Sequence, residues 1–237
     1  LSKYYKSHLK FGQQSVDQVF NELGVNPSYL EANWSQTTLF LNHNGRYQAI
    51  PLPQEAQWSP VFGVVSGDFD GDGHFDLFLA QNNFQFESTT PRMDAGFGLI
   101  CLGDGHGQFT AMPHFRSGIK ILGEQRGAAS GDWNHDGRLD LIVGQNNGAT
   151  QLLTNQSAEP GISVRLIGSR LNPWAIGAQI RLIGDQGIQG PRHLVQSGGG
   201  YGSQNGMIQV LGQIDGGDRI EIFWPDGRTS LHSIVNR

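Results

Sequence analysis

The residues best suited to chemistry in this 237-residue chain are oxygen donors at alternate positions. Asp68, Asp70 and Asp72 are followed by Gly73 and Asp76. The pattern returns as Asp132, Asn134, Asp136, Gly137 and Asp140, with Asp68 and Asp132 standing 64 residues apart. Calcium takes six to eight oxygen ligands at roughly 2.3–2.6 Å, and a chain can wrap it with side-chain oxygens at positions 1, 3 and 5, a carbonyl at 7 and a glycine at 6. On that template Asp68, Asp70 and Asp72 ligate through side chains, His74 through its carbonyl, and Asp76 completes the first set. In the second, Asp132, Asn134 and Asp136 ligate through side chains, Arg138 through its carbonyl, and Asp140 completes it. Two Ca2+ sites are expected, the second weaker because Asn134 replaces a carboxylate. An EF-hand would carry a bidentate Glu at position 12 and flanking helices. Here that position is Leu79 or Val143, and DLFLA and DLIVG read as strands. Magnesium prefers strict octahedra with retained waters, and zinc prefers nitrogen or sulfur. His74 and His135 fall where side chains point outward. Hydrogen-bonded Asx turns are the alternative to metal, but two copies with every oxygen position filled favour metal. The carboxylates repel one another, so the ion is expected to order the loops rather than to catalyse.

Other candidate chemistry is thin. The eight histidines show neither H-x-H nor HExxH spacing, and no G-x-S-x-G elbow occurs. SGGGYGS, at 197–203, lacks a following G-K-[ST] and reads as a turn-rich segment that brings backbone close to Tyr201. Asp94, Glu124 and Arg126 read as a solvated, ion-paired loop beside a polar excursion over 82–98, with a polar site as the alternative. Trp34, Trp58, Trp133, Trp174 and Trp224 read as packing residues, with sugar stacking as the alternative. Gln81-Asn82-Asn83 and Gln145-Asn146-Asn147 read as turn caps at one rim, with glycan contact as the alternative. Cys101, the single cysteine, reads as a buried small hydrophobe, and no internal disulfide can form.

The elements that must position these residues are mostly strands. Glycine is abundant at 34 residues with no collagen period, as in a turn-rich β protein. The net charge of −5 argues against general nucleic-acid binding. No apolar run approaches the roughly 20 residues of a transmembrane helix, and the opening residues, with neither a basic n-region nor an apolar h-region, are not expected to act as a signal peptide. Residues 1–36 read as a helical or irregular segment packing on a β domain, with a capped helix from Ser15 to Leu23 stopped by Gly24. From 37 to 156 a unit repeats: approach strand, acidic loop, exit strand, then a glycine-turn hairpin. Asn44-Gly45 marks one tight hairpin. Repeats of this length suggest propeller blades, of which about two are present. Past a linker at 157–161, residues 161–237 read as a second β domain, a small sandwich or barrel.

On these residues the chain resembles FG-GAP (VCBS-type) calcium-loop repeat proteins over roughly 37–155. NPWAIGAQIRL (172–182), SGGGYGSQN (197–205) and FWPDGR (223–228) resemble the ASPIC/UnbV domain; VLGQ (210–213) departs from that family's usual FGLG-like segment. The resemblance implies a mainly β fold, with FG-GAP-type β-propeller blades forming a partial propeller ahead of the ASPIC/UnbV-like domain. It also implies a piece of a larger bacterial protein that is secreted, periplasmic or on the cell surface. The function implied is a calcium-stabilised, non-catalytic binding or adhesion module, with a glycan or protein ligand at the propeller rim. The alternative is the accessory part of a carbohydrate-active or other hydrolytic enzyme whose site lies in upstream blades.

Overall fold

The computed structural model describes residues 5–234 apart from 29, 86, 88 and 89. Residues 1–4 and 29 of the expected helical or irregular segment, three residues of the excursion, and the last three of the expected C-terminal domain lie outside the described residues. The fold is mainly β, and the chain divides into two compact units, Leu1–Ser35 and Gln36–Arg237.

The first unit holds α1 (His8–Gly12) and α2 (Val16–Leu23). Ser15 and Gln18 form a reciprocal capping box at the start of α2, and Gly24 ends it at φ +64°. Val19 is buried, whereas Val16 is exposed. The Tyr5 hydroxyl donates to Glu22 Oε2 at 2.9 Å, tying the segment before α1 to α2.

The second unit opens with a hairpin, β1 (Thr38–His43) and β2 (Arg46–Pro51). Asn44 and Gly45 both have positive φ, as a two-residue hairpin turn requires. A 3₁₀ turn, Gln54–Gln57, leads to the first large sheet. Its strands are β3 (Val61–Gly67), β4 (Asp76–Gln81), β5 (Leu99–Gly103) and β6 (Phe109–Ala111), antiparallel in that order. After the short α3 (His114–Ser117) comes a three-stranded sheet of β7 (Glu124–Gly131), β8 (Asp140–Asn146) and β9 (Gly148–Leu153). The acidic loops close equivalent hairpins, because Gly67 pairs with Asp76 and Gly131 with Asp140. Both approach strands also bulge at equivalent places, near Gly63 and Gly127. At Gly63 the strands of the two sheets come together: a Cβ there would lie 2.5 Å from the Arg126 carbonyl oxygen.

Between the two sheets lies one core, with Val65, Phe78 and Ile100 facing Ala128, Leu141 and Val143. The far face of the first sheet is covered as well, where Leu79 and Cys101 pack with Leu52 and Ala56. The far face of the second sheet is more open. Its register pair Ile142 and Leu152 is half-exposed, although the equivalent pair in the first sheet, Phe78 and Ile100, is buried.

The remaining strands are β10 (Ile162–Val164), β11 (Gln179–Ile183), β12 (His193–Leu194), β13 (Gln209–Leu211), β14 (Arg219–Phe223) and β15 (Thr229–Ser233). They form a β10–β13 ribbon and a four-stranded sheet ordered β12-β11-β14-β15 around a core that includes Leu166, Ile180, Leu182, Val195, Leu211 and Ile222. Among the described residues no sheet closes into a barrel and the sheets do not complete a ring.

Candidate metal centre

The first acidic loop wraps its own carboxylates. Asp68 is buried; its Oδ1 accepts from the Gly71 N–H at 2.7 Å and its Oδ2 from the Gly73 N–H at 2.9 Å. Both glycines have φ near +85°, a left-handed bend that a side chain would strain. Asp70 Oδ1 accepts from the Asp72 N–H at 3.2 Å and Asp72 Oδ1 from the His74 N–H at 2.8 Å. Asp76, at the head of β4, is fully buried. Its Oδ2 accepts from the Phe69 N–H at 2.8 Å and its Oδ1 from the Gly103 N–H at 2.9 Å, so one carboxylate joins the loop to β5.

This wrapping brings oxygens of Asp68, Asp70 and Asp76 within 4.8 Å of one another. Asp72 lies outside that trio and is exposed, as is His74. Burial raises the carboxyl pKa of all three, with their neighbours' negative charges adding to it, and pushes Asp76 to about 7.

The second loop has the same backbone plan and different side-chain pairing. Asp132 Oδ1 accepts from the Asp136 N–H at 3.0 Å and Oδ2 from the Gly137 N–H at 3.0 Å. Asp140 repeats the part of Asp76, accepting from the Trp133 and Asn155 N–H groups at 2.8 Å each. His135, at φ +60°, stands where the first loop has Gly71. Asp136 is drawn elsewhere: the Asn134 amide donates to its Oδ2 at 2.9 Å, and Arg138 Nη1 lies 3.2 Å from the same oxygen. Burial pushes Asp136 up, but the bonds from Asn134 and Arg138 outweigh it and hold this carboxyl below its ordinary range. Among the described residues only the first loop gathers three carboxylates.

Both loops also serve as a seat for the chain beyond residue 154. In the first, a Cβ on Gly73 would lie 2.7 Å from the Gln213 carbonyl oxygen, and the Phe75 ring packs 4.7 Å from that of His193. Burial lowers the His193 pKa to about 4. In the second, Ser163 Oγ donates to Asp132 Oδ2 at 3.1 Å, the Gly161 N–H to the Gly137 carbonyl at 2.8 Å, and Arg138 Nε to the Ala158 carbonyl at 2.6 Å. Asn155 Nδ2 bridges back to the Phe69 carbonyl at 2.8 Å. Sequence reasoning passed over Asn155, Ser163 and His193. Asn155 alone left a local signal, an Asx turn accepting from the Ser157 and Ala158 N–H groups.

Residues 168–236 match the family model described as ASPIC and UnbV. That span begins just after β10 and takes in most of the C-terminal strands. Cartilage acidic protein 1 of Mus musculus is 26% identical over 198 residues, covering 81% of this chain and 29% of its own length, and the Homo sapiens protein gives the same values. The Xenopus tropicalis protein is 24% identical over 215 residues, covering 86% of this chain and 32% of its own length. The chain thus spans under a third of the length of these curated relatives.

The remaining candidates fall into place around the loops. Glu124 is buried; it accepts from the Phe84 N–H at 2.8 Å, Asn146 Nδ2 at 2.7 Å and Arg126 Nη2 at 2.6 Å. Arg126 also donates to the Asn82 carbonyl and lies 3.7 Å over the Phe62 ring. The pair is therefore a buried brace for the excursion, and Asp94 stays exposed outside it. Asn82 clamps Gly96 from both sides, accepting from its N–H at 2.9 Å and donating to its carbonyl at 2.7 Å. Tryptophan placement departs from the packing expectation. Trp34, Trp58, Trp133 and Trp174 are exposed, and Trp224 alone joins a core, its Nε1 donating to Ser230 Oγ at 2.9 Å. The Cys101 thiol is buried, which pushes its pKa to about 12. Among the described residues no helix is long and apolar enough to cross a membrane.

Proposed function

We propose that the chain is a calcium-stabilised, non-catalytic binding or adhesion module that works outside the cell. The observation that carries the metal is the approach of Asp68, Asp70 and Asp76 to within 4.8 Å. The donor set fits a hard divalent cation: the gathered ligands are all oxygens, with neither nitrogen nor sulfur among them. Their raised pKa values point the same way, since a cation would relieve the cost of holding these carboxylates ionised in a buried loop. Asp68, Asp70, Asp72 and Asp76 would hold the ion with the His74 carbonyl. Asp132, Asn134, Asp136, Asp140 and the Arg138 carbonyl would hold a second, weaker one, because Asp136 must first leave Arg138. The ion would supply rigidity, turning binding energy into folding energy.

The two acidic-loop sheets are read as consecutive FG-GAP-type propeller blades. Support comes from their equivalent bulges, hairpin closures and register pairs. A third blade would cover Ile142 and Leu152 as the second sheet covers Phe78 and Ile100. The match to ASPIC and UnbV, and relatives whose name places them with cartilage, support the extracellular setting. The exposed tryptophans support a recognition role, with a glycan or a protein as the ligand.

Titration calorimetry with calcium and with magnesium tests the metal. Calcium should bind preferentially and Asp70→Ala should abolish the tighter site, whereas equal heats for the two ions would defeat the assignment. A glycan and matrix-protein array probed with and without calcium tests the role; a blank array in both conditions would count against a binding module.

A further inference from the structure

A cavity of about 340 Å³ lies on the covered side of the first sheet, apart from the metal loops. Its walls are the 3₁₀ turn Gln54–Gln57 with Trp58, the Ala95–Leu99 segment, and the corner between β6 and α3. We propose that this cavity binds a methylated ammonium group, with Glu55 as counter-charge and Trp58 and Phe97 as aromatic walls.

The chain builds the site for local reasons. Glu55 sits in this 3₁₀ turn and Trp58 caps its end three residues on, a spacing that favours one side of the turn, and both line the cavity. Trp58 is 55% exposed and lines the cavity. The opposite wall is fixed: the buried Asn82 amide holds both polar groups of Gly96, and the Phe97 carbonyl accepts from the Ile121 N–H at 2.9 Å. Phe97 packs against His114 with ring centroids 5.0 Å apart, and Met112 lines the same space.

Charge and hydrogen bonding select the ligand class. Among the described residues the Glu55 carboxylate has no hydrogen bond or ion pair, and no Lys or Arg lines the cavity. A cation is therefore favoured over an anion. Aromatic faces and a thioether complement the positive, apolar shell of a methylated ammonium. A sugar would bury several hydroxyls in a lining with few polar groups, and Gln81 Nε2 is already directed at the Glu55 carbonyl at 3.4 Å. A primary ammonium would bring three N–H donors to a single carboxylate. A methylated ammonium brings no such demand and keeps the charge.

Calorimetry of the full chain with choline chloride, its neutral isostere 3,3-dimethylbutan-1-ol, and glucose tests the proposal. Choline should bind saturably, and the isostere should bind at least about fivefold more weakly. Glu55→Gln and Trp58→Ala should each weaken choline binding by about fivefold or more with the melting temperature unchanged, while Trp58→Phe retains most of it. No saturable choline binding, equal binding of choline and the isostere, or tighter binding of glucose would each overturn it.

Discussion

Asp76 shows how much one carboxylate can hold. It accepts from the Phe69 and Gly103 N–H groups while buried beside Asp68 and Asp70. Asp76→Ala orphans both donors and should cost about 2–4 kcal/mol in urea unfolding even without metal. Asp72→Ala, at an exposed position, should leave metal-free stability within about 1 kcal/mol and lower calcium affinity instead. The acidic positions were legible because alternation of Asp with a glycine at position 6 has a mechanical meaning. Glu124 was legible only as a charge beside a loop, since nothing local to it says that Phe84, Arg126 and Asn146 converge there. Glu124→Ala should strand the Arg126 guanidinium and cost about 3 kcal/mol. The titration signs differ between groups. A carboxyl raised from 3.8 to about 7, as at Asp76, favours the fold below its unfolded pKa, and that contribution is lost as pH rises through 7. A histidine lowered from 6.5 to about 4, as at His193, favours the fold above its unfolded pKa and loses that contribution as pH falls through 4. In EDTA these slopes oppose each other between those values. Calcium competes with protons for Asp76, so the gain in melting temperature on adding calcium should be larger at pH 7 than at about pH 4.5.

Among the elements, the hairpins were the most legible, because their turns have chemical requirements. Asn44-Gly45 supplies two left-handed residues, and the loop between β5 and β6 turns on Asp104, whose Oδ1 accepts from the His106 and Gln108 N–H groups. What an element packs against was less legible. Ile142 looks as apolar in the chain as Phe78, yet it is half-exposed because no third sheet covers it within the described residues. The tryptophans misled for the same reason: aromatic area signals contact without saying whether the partner is this chain. The two acidic loops, which share the same spacing of oxygen donors and glycine, diverge through Arg138, which occupies Asp136 where the first loop has an exposed His74. Glycine substitutions separate loop strain from loop docking. Gly45 and Gly73 share φ +85°, but a Cβ on Gly45 meets open space and one on Gly73 meets the Gln213 carbonyl. Gly45→Ala should cost about 1 kcal/mol and Gly73→Ala about 3 kcal/mol or more, compared by thermal unfolding.

For the whole molecule, the acidic loops are where the paired sheets and the C-terminal strands meet. Asp132 reaches Ser163, Phe69 reaches Asn155, and Gly73 lies against Gln213 and Ile214. A change at the loops should therefore be felt in both cores. Neither the repeat nor the C-terminal motifs announced this meeting, since its contacts join residues 31 to 141 positions apart and carry no periodicity. Hydrogen exchange should show β10 and β13 losing protection together with β3 and β4 when calcium is withdrawn. Calcium at about a hundred times its dissociation constant should add roughly 2.7 kcal/mol to the folded state. The melting temperature of the full chain across a calcium titration tests that coupling most directly. It should rise and saturate, and Asp70→Asn should flatten the rise. Coincident melting curves in saturating calcium and in EDTA would contradict it.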